Sequence, residues 1–531
     1  MRCLVVCCDG TWNTPEQPSV TNVHRLYNAL DTRDSGGNRQ LAYYQPGVGT
    51  RGGLLGWLPG GIAGVGLSAD VLDAYRWLTT TYEPGDRIAL FGFSRGAYTA
   101  RSLAGMISVC GLLDTRGRNA ATIRYQIERV YDRRYRAADR PDPLWRTGLE
   151  FHYDPADAAR IPVRFIGVWD TVGSLGIPDH LGILNLWDPP RRHAFHDVKL
   201  NPHIRYARHA VAMDEHRGPF APTLWEDGGQ EPGQDLQQVW FPGSHKDVGG
   251  GHPETGLSDG ALRWMVEEAQ KAGIAFDEDM LRQITPDETD VLHEDARTGF
   301  RLLAQLYDPA IGPLLQPFFE PRPRAVPRVD ADRRDGAVHR SVYGRQQAKI
   351  ITSRPYRPTR GLGAGGSPVT VTVSARRPWN DTGLYLDPGA YRFTAEGEWQ
   401  DAHIRSGPGG TTGPARFNPF VERLRLLGTA LGPLQTVWRR VTGNEEANLL
   451  GSPREDDLPW MSLVGVVANG DGKRLAGRPG TAPHQRIAVG GGTDGPVTVT
   501  RGGYLYAFAN DAWGFYGNNR GSVRLTVTRL A

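Results

Sequence analysis

The 531-residue chain carries 61 Lys+Arg against 58 Asp+Glu, a formal net charge of +3, and is 39% hydrophobic. So long a chain exceeds one hydrophobic core, so two or three domains are expected. The near-neutral balance excludes a broad basic field that would hold nucleic acid or an anionic membrane by charge alone, so function must come from local sites.

Arg dominates the cations throughout rather than on one face, which points to codon bias more than to phosphate recognition. Cys3, Cys7, Cys8 and Cys110 make neither a disulfide framework nor a paired metal site, and the first three read as small core residues. The apolar run over residues 4–8 is too short for a signal peptide, and no stretch approaches the ~18 apolar residues of a membrane span. The expectation is a protein made soluble in the cytoplasm, any export following a route that reads no cleavable signal.

The first third alternates short β-branched runs with helical patterns, as a parallel sheet covered by helices requires. Residues 4–8 read as the first buried strand and residues 22–30 as a helix. Segment 47–62 is apolar and rich in glycine, suiting either a mobile lid over acyl chains or a permanent cover on the core. A second helix over 70–81 buries Val71, Leu72, Tyr75, Trp77 and Leu78. Pro84-Gly85-Asp86 turns the chain into a strand over 87–91, which runs through Gly92-Phe93-Ser94-Arg95-Gly96 into a helix over 97–107. Strands over 163–168 and 238–241 end in polar or glycine-rich residues, and strand ends are where α/β sheets place their sites. A helix is expected over 261–272, and the proline-rich segment 309–327 is expected to wrap the surface.

Residues 361–368 read as a glycine-rich linker between an α/β domain over 1–360 and an all-β domain over 369–531. Short alternating strands over 369–373, 389–397, 462–467, 497–500, 503–509 and 522–528 predict a β-sandwich. A helical insertion over 417–440 interrupts it, with Phe417, Phe420, Leu424, Leu427, Leu431 and Trp438 on one face. Gly428, Gly432 and Pro433 break that pattern, favouring a packed hairpin over contact with a membrane surface.

Gly92-Phe93-Ser94-Arg95-Gly96 fits G-x-S-x-G, in which the serine sits on a strained strand-to-helix turn that exposes its hydroxyl. Ser94 is therefore the candidate nucleophile, and it needs an imidazole base held by a carboxylate. Later strand ends supply Asp170 and His245, with Asp214 or Asp247 as competing acids and His252 as a competing base. An oxyanion needs two backbone N–H donors. Arg95 would give one, and Gly10 or Thr11, after the first strand, the other.

Through Asp9-Gly10-Thr11-Trp12-Asn13, Gly92-Phe93-Ser94-Arg95-Gly96-Ala97, Val168-Trp169-Asp170-Thr171-Val172-Gly173 and Val239-Trp240-Phe241-Pro242-Gly243-Ser244-His245-Lys246-Asp247-Val248-Gly249-Gly250-Gly251, residues 1–360 resemble the hydrolase family that includes the type VI secretion phospholipase effectors. That resemblance implies an α/β-hydrolase-like parallel sheet with helices on both faces, a triad of Ser94, Asp170 and His245, and cleavage of phospholipid esters without a cofactor. It also implies a secretion-apparatus or immunity protein as partner.

Residues 391–530 resemble the calcium-dependent galactose-binding bacterial lectins through Asn510-Asp511-Ala512-Trp513-Gly514-Phe515-Tyr516-Gly517-Asn518-Asn519. A Ca2+ ion wants six to eight oxygens. The resemblance implies side-chain oxygens of Asp511, Asn518 and Asn519, the carbonyl of Phe515, and a further ligand from Asp401. Phe515 departs from the small polar residue usual there, and the sugar loop has no counterpart. Two classes follow: a serine esterase directed by a glycan- or membrane-binding module, or a calcium-dependent carbohydrate-binding protein with a vestigial hydrolase domain.

Overall fold

The computed structural model describes residues 1–10, 19–47, 62–137, 141–153, 161–172, 200–201, 203–217, 220–226, 232–293, 322–332, 334–348, 356–411, 453–455, 457–470, 484–512 and 515–531, with residues 62–67 as backbone only. Thr11, most of the glycine-rich segment 47–62, residues 309–321 and the insertion 417–440 lie outside them.

Six strands form one parallel sheet: β1 (Cys3–Cys8), β2 (Gln40–Gln45), β3 (Arg87–Phe93), β4 (Val163–Trp169), β5 (Tyr206–Ala212) and β6 (Asp235–Phe241). Their order in space is β2-β1-β3-β4-β5-β6. Both faces are covered. Leu4, Val6 and Cys8 of β1 pack with Ile88, Leu90 and Val168 in one apolar cluster, whereas Val5 and Cys7 join Phe91, Phe165 and Trp169 in another. Two buried faces explain why β1 is apolar at successive positions rather than alternating.

The first cluster is closed by α2 (Ile62–Thr81), α3 (Arg95–Cys110) and α4 (Ala120–Val130); the second by α1 (Asn22–Ala29) and α6 (Gly256–Lys271). The short α5 (His245–Gly249), α7 (Glu278–Arg282) and α8 (Arg340–Gln347) complete the described α-helices. After β1 the chain moves outward to β2, then returns to place β3 on the other side of β1. Such a reversal opens a crevice beyond the carboxyl ends of the two strands, and ligands bind at such points in α/β sheets. Ser94 follows β3 and Asp9 follows β1.

The remaining strands are β7 (Arg360–Gly361), β8 (Val369–Ser374), β9 (Asn380–Leu386), β10 (Gly389–Asp401), β11 (Ile404–Ser406), β12 (Gly409–Thr411), β13 (Trp460–Ala468), β14 (Gln485–Ala488), β15 (Val497–Val499), β16 (Gly503–Ala509) and β17 (Asn519–Arg529). They form two sheets, β11-β10-β17-β8 with β15 on β10, and β12-β13-β16-β9-β7 with β14 on β13. All pairs are antiparallel except β7 with β9. Val523, Leu525 and Val527 of β17 alternate with more exposed neighbours and share a core with Leu384, Leu463 and Leu505 of the other sheet.

The two regions meet through Val326, Val329, Val338 and Tyr343, which pack between Trp240 of β6 and Tyr504 and Tyr506 of β16. The Tyr504 hydroxyl accepts the Val329 N–H at 3.0 Å.

Candidate active site

The turn at Ser94 is set by its glycines. A Cβ on Gly92 would stand 2.3 Å from the Gly96 carbonyl oxygen, and one on Gly96 would stand 2.2 Å from the carbonyl oxygen of Cys8. Both contacts are with backbone, which cannot swing aside, so the two flanking positions of the motif require glycine. The compression drives Ser94 to φ 58°, ψ −120°, a region that residues with a Cβ rarely adopt. The Ser94 amide donates to the Trp169 carbonyl at 3.1 Å, tying the end of β3 to the end of β4.

Asp170, directly after β4, is fully buried and also at positive φ, 33°. Its amide donates to the Ala210 carbonyl at 2.7 Å, and the Thr171 amide donates to His209 Nε2 at 3.1 Å. His209 therefore acts as an acceptor and is neutral. Burial, reinforced by the positive Arg101, pushes its pKa down to about 3. The Asp170 carboxylate accepts His245 Nδ1 at 2.7 Å through Oδ2, and through Oδ1 the Ala212 amide at 3.0 Å and Arg324 Nη1 at 2.9 Å. Burial opposes its ionisation, but Arg324 and His245 outweigh that penalty and hold the carboxyl below the usual carboxylate range.

His245 opens α5, where Ser244 and Asp247 form a capping box that fixes the helix start. Its ring lies between Phe93, with centroids 4.6 Å apart, and Phe220, edge-on at 4.9 Å. Its amide reaches the buried Glu215 at 3.4 Å. With Nδ1 on Asp170, the opposite nitrogen, Nε2, is buried and has no hydrogen-bond partner among the described residues.

The competing residues have other partners. Asp214 accepts the Gly243 amide and the Tyr356 hydroxyl, each at 2.7 Å, and pairs with Arg357. Asp247 caps α5 and holds His293, against which His252 stacks. Of the oxyanion candidates, the Gly10 amide donates to Asp9 Oδ1 at 2.6 Å, and Arg95 opens α3, where the first amides of a helix have no intrahelical acceptor. Arg324, which sequence reasoning missed, comes from the proline-rich segment read as a surface wrap; its guanidinium also donates to the carbonyls of Ala212 and Phe220.

The calcium candidates fall into two pairs. Asn519 Nδ2 donates to Asp511 Oδ2 at 2.8 Å, and Asn518 Nδ2 donates to Asp401 Oδ1 at 2.9 Å, with Asp401 opposite Asn519 across β10 and β17. Phe515 is exposed, and its carbonyl accepts the Asn518 amide at 3.3 Å.

The profile of the catalytic domain of the T6SS phospholipase effectors, Tle1-like, matches residues 2–268, half of the chain. The chain belongs to this family. The Tle1-like match contains Ser94, Asp170 and His245 and ends before Arg324. An uncharacterized protein of Saccharomyces cerevisiae, YEL023C, is 32% identical over 233 residues, 41% of this chain and 32% of that protein. The alignment thus spans about a third of the curated relative's length. Among solved structures, an uncharacterized protein from Pseudomonas aeruginosa overlaps with TM-score 0.29 at 18% identity, over 54% of this chain and 49% of that one. The PllA-like lectin domain at the N-terminus of EclA overlaps with TM-score 0.17 at 16% identity, over 30% of this chain and 94% of that one. Both overlaps are too slight to establish a shared fold. No helix among the described residues is long and apolar enough to cross a membrane.

Proposed function

We propose that the Tle1-like domain is an α/β-hydrolase that cleaves acyl esters of phospholipids with Ser94 as nucleophile, His245 as base and Asp170 as the carboxylate that orients it. The observation that carries this reading is the Asp170 Oδ2 to His245 Nδ1 bond of 2.7 Å, which fixes the imidazole so that its basic nitrogen, Nε2, is buried and uncommitted. In acylation Nε2 takes the Ser94 hydroxyl proton as Oγ bonds to the ester carbonyl carbon. The resulting oxyanion is met by backbone N–H groups, of which the Arg95 amide is one and Thr11 the candidate for the second. His245 then passes its proton to the leaving lysophospholipid alcohol. Water, deprotonated by the same nitrogen, releases the fatty acid and restores Ser94. Asp170 remains ionised throughout, kept so by Arg324.

The aromatic walls of Phe93 and Phe220 beside His245 support an apolar substrate. A secretion apparatus would deliver such an enzyme, and an immunity protein would guard its producer.

For the C-terminal β region we propose a directing role, with Ca2+ as an aid to glycan binding. Asn519 Oδ1 is buried without a hydrogen-bond partner, next to the buried Asp511 carboxylate, so the donor set fits a hard cation. Asp511, Asn518, Asn519, Asp401 and the Phe515 carbonyl would hold the ion, which would supply a Lewis-acid contact for sugar hydroxyls.

The test is incubation of wild type and Ser94→Ala with a mixed lipid extract followed by mass spectrometry. Fatty acid and lysophospholipid should form with wild type alone. Equal product from both proteins removes Ser94 from the mechanism.

A further inference from the structure

Beyond the serine site, at the short helix that carries His245, Asp247 meets side chains from two loops that the proposed hydrolysis does not use. Asp247, His252 and His293 each offer a ligand atom, and the three atoms lie within 4.8 Å of one another. Asp247 Oδ1 stands 2.6 Å from His293 Nδ1, and the rings of His252 and His293 are stacked with centroids 3.8 Å apart.

Three features suit a metal rather than a simple ion pair. First, the donors are one carboxylate oxygen and imidazole nitrogens, the mixed set that first-row transition ions and Zn2+ take, whereas Mg2+ and Ca2+ prefer oxygen alone. Second, the remaining Asp247 oxygen, Oδ2, is held by the amides of Ser244 at 2.9 Å and His293 at 3.0 Å, so the carboxylate is oriented before any ion arrives. Third, the other nitrogen of His293, Nε2, faces Glu254 Oε2 at 3.2 Å. A ligating histidine characteristically gives its second N–H to a carboxylate, which fixes the tautomer that leaves the first nitrogen free to coordinate.

We infer that Asp247, His252 and His293 form a Zn2+-type divalent metal site, oriented by Glu254, that fastens helix α5 to the loops carrying His252 and His293. The ion replaces the proton shared by Asp247 and His293, and its fourth position is open to water or an exogenous ligand. The site is a brace for the helix that carries the base, with no part in bond cleavage. It stands or falls independently of the role of Ser94.

The test uses the full chain, stripped with a chelator and titrated with Zn2+ against a competing chelating dye, with melting temperature read in parallel. Wild type, Ser94→Ala and Asp511→Ala should each bind one equivalent and melt higher with Zn2+, because a ligand bound only by the folded state stabilises it. Glu254→Gln should bind at least about 10-fold more weakly. His252→Ala and His293→Ala should lose both the binding and the thermal shift while retaining the wild-type circular dichroism spectrum. If His293→Ala does not fold, His252→Ala alone carries the test, since its partly exposed ring can be removed without opening the core. Binding in His252→Ala equal to wild type, or no binding in wild type, overturns the assignment.

Discussion

Arg324 and Asp170 are both buried, and the guanidinium spans the carboxylate, with Nη1 2.9 Å from Oδ1 and Nη2 3.5 Å from the Oδ2 that His245 also bonds. Asp170 thus faces the permanent cation of Arg324 and, in the proposed mechanism, the imidazolium that forms on His245. Removing a partner from a buried pair leaves an unpaired charge in a low-dielectric interior. Arg324→Ala should cost about 3–5 kcal/mol of unfolding free energy. It should also raise the pH at which the acid limb of kcat/KM falls, because the carboxyl loses the charge that keeps it ionised. Urea denaturation and a pH profile measure the two effects. A stable variant with an unshifted profile would mean that Arg324 does not act through Asp170.

Ser94 is buried and sits at φ 58°, ψ −120°, so part of the stability of the chain is spent on holding this one residue in a strained turn. Backbone strain of this kind is worth on the order of 1–3 kcal/mol. Ser94→Gly should abolish ester hydrolysis and raise stability by about 1 kcal/mol once the extra freedom of glycine in the unfolded chain is subtracted. Thermal and urea midpoints decide it. A glycine variant less stable than wild type would show that the turn is not strained.

His209 is neutral in the folded protein, its pKa driven down to about 3 by burial and by Arg101, whereas an unfolded histidine protonates near 6.5. Below about pH 6.5 the unfolded chain therefore binds a proton that the native one refuses, and stability falls as the pH falls toward 3. Each such group contributes a slope of about 1.4 kcal/mol per pH unit. Burial shifts His152, His216 and His339 in the same direction. His209→Gln should lower the slope of stability against pH between 5 and 6 by about one proton's worth. Denaturation series at several pH values measure it, and unchanged slopes would contradict a neutral buried His209.

Much of this was legible in the sequence. Two-sided burial wrote β1 and β3 as continuous apolar runs, and the glycines around Ser94 marked a turn that the packing of Gly96 on the Cys8 carbonyl explains. Asp170 and His245 were legible because each follows a strand. The strand β5, however, reads Tyr-Ala-Arg-His-Ala-Val-Ala, with two polar residues in a buried element. Arg208 is tolerated there because Glu268 accepts its Nε at 2.7 Å, and His209 because it is neutral. Periodicity cannot register such tertiary pairing. β2, an edge strand with glutamine at both ends, was missed because its apolar pattern is weak. Arg324 reaches Asp170 across 154 positions, and no local pattern announces such a partner.

In the C-terminal region, Asp511→Ala or chelation of Ca2+ should lower the melting temperature and weaken glycan binding on a glycan array, while hydrolysis of a soluble short-chain ester stays intact. The carboxylate and the orphaned Asn519 oxygen motivate this expectation. Melting and glycan binding indifferent to both treatments would leave Asp511 as a hydrogen-bonding residue of a turn.

The most direct measurement is covalent labelling by a fluorophosphonate, which reacts quickly only with a serine whose proton a neighbouring base removes. Peptide mapping by mass spectrometry should find one adduct, on Ser94, in wild type, and labelling slower by orders of magnitude in His245→Ala. Rapid labelling that survives the loss of His245, or an adduct on a different serine, would contradict the account.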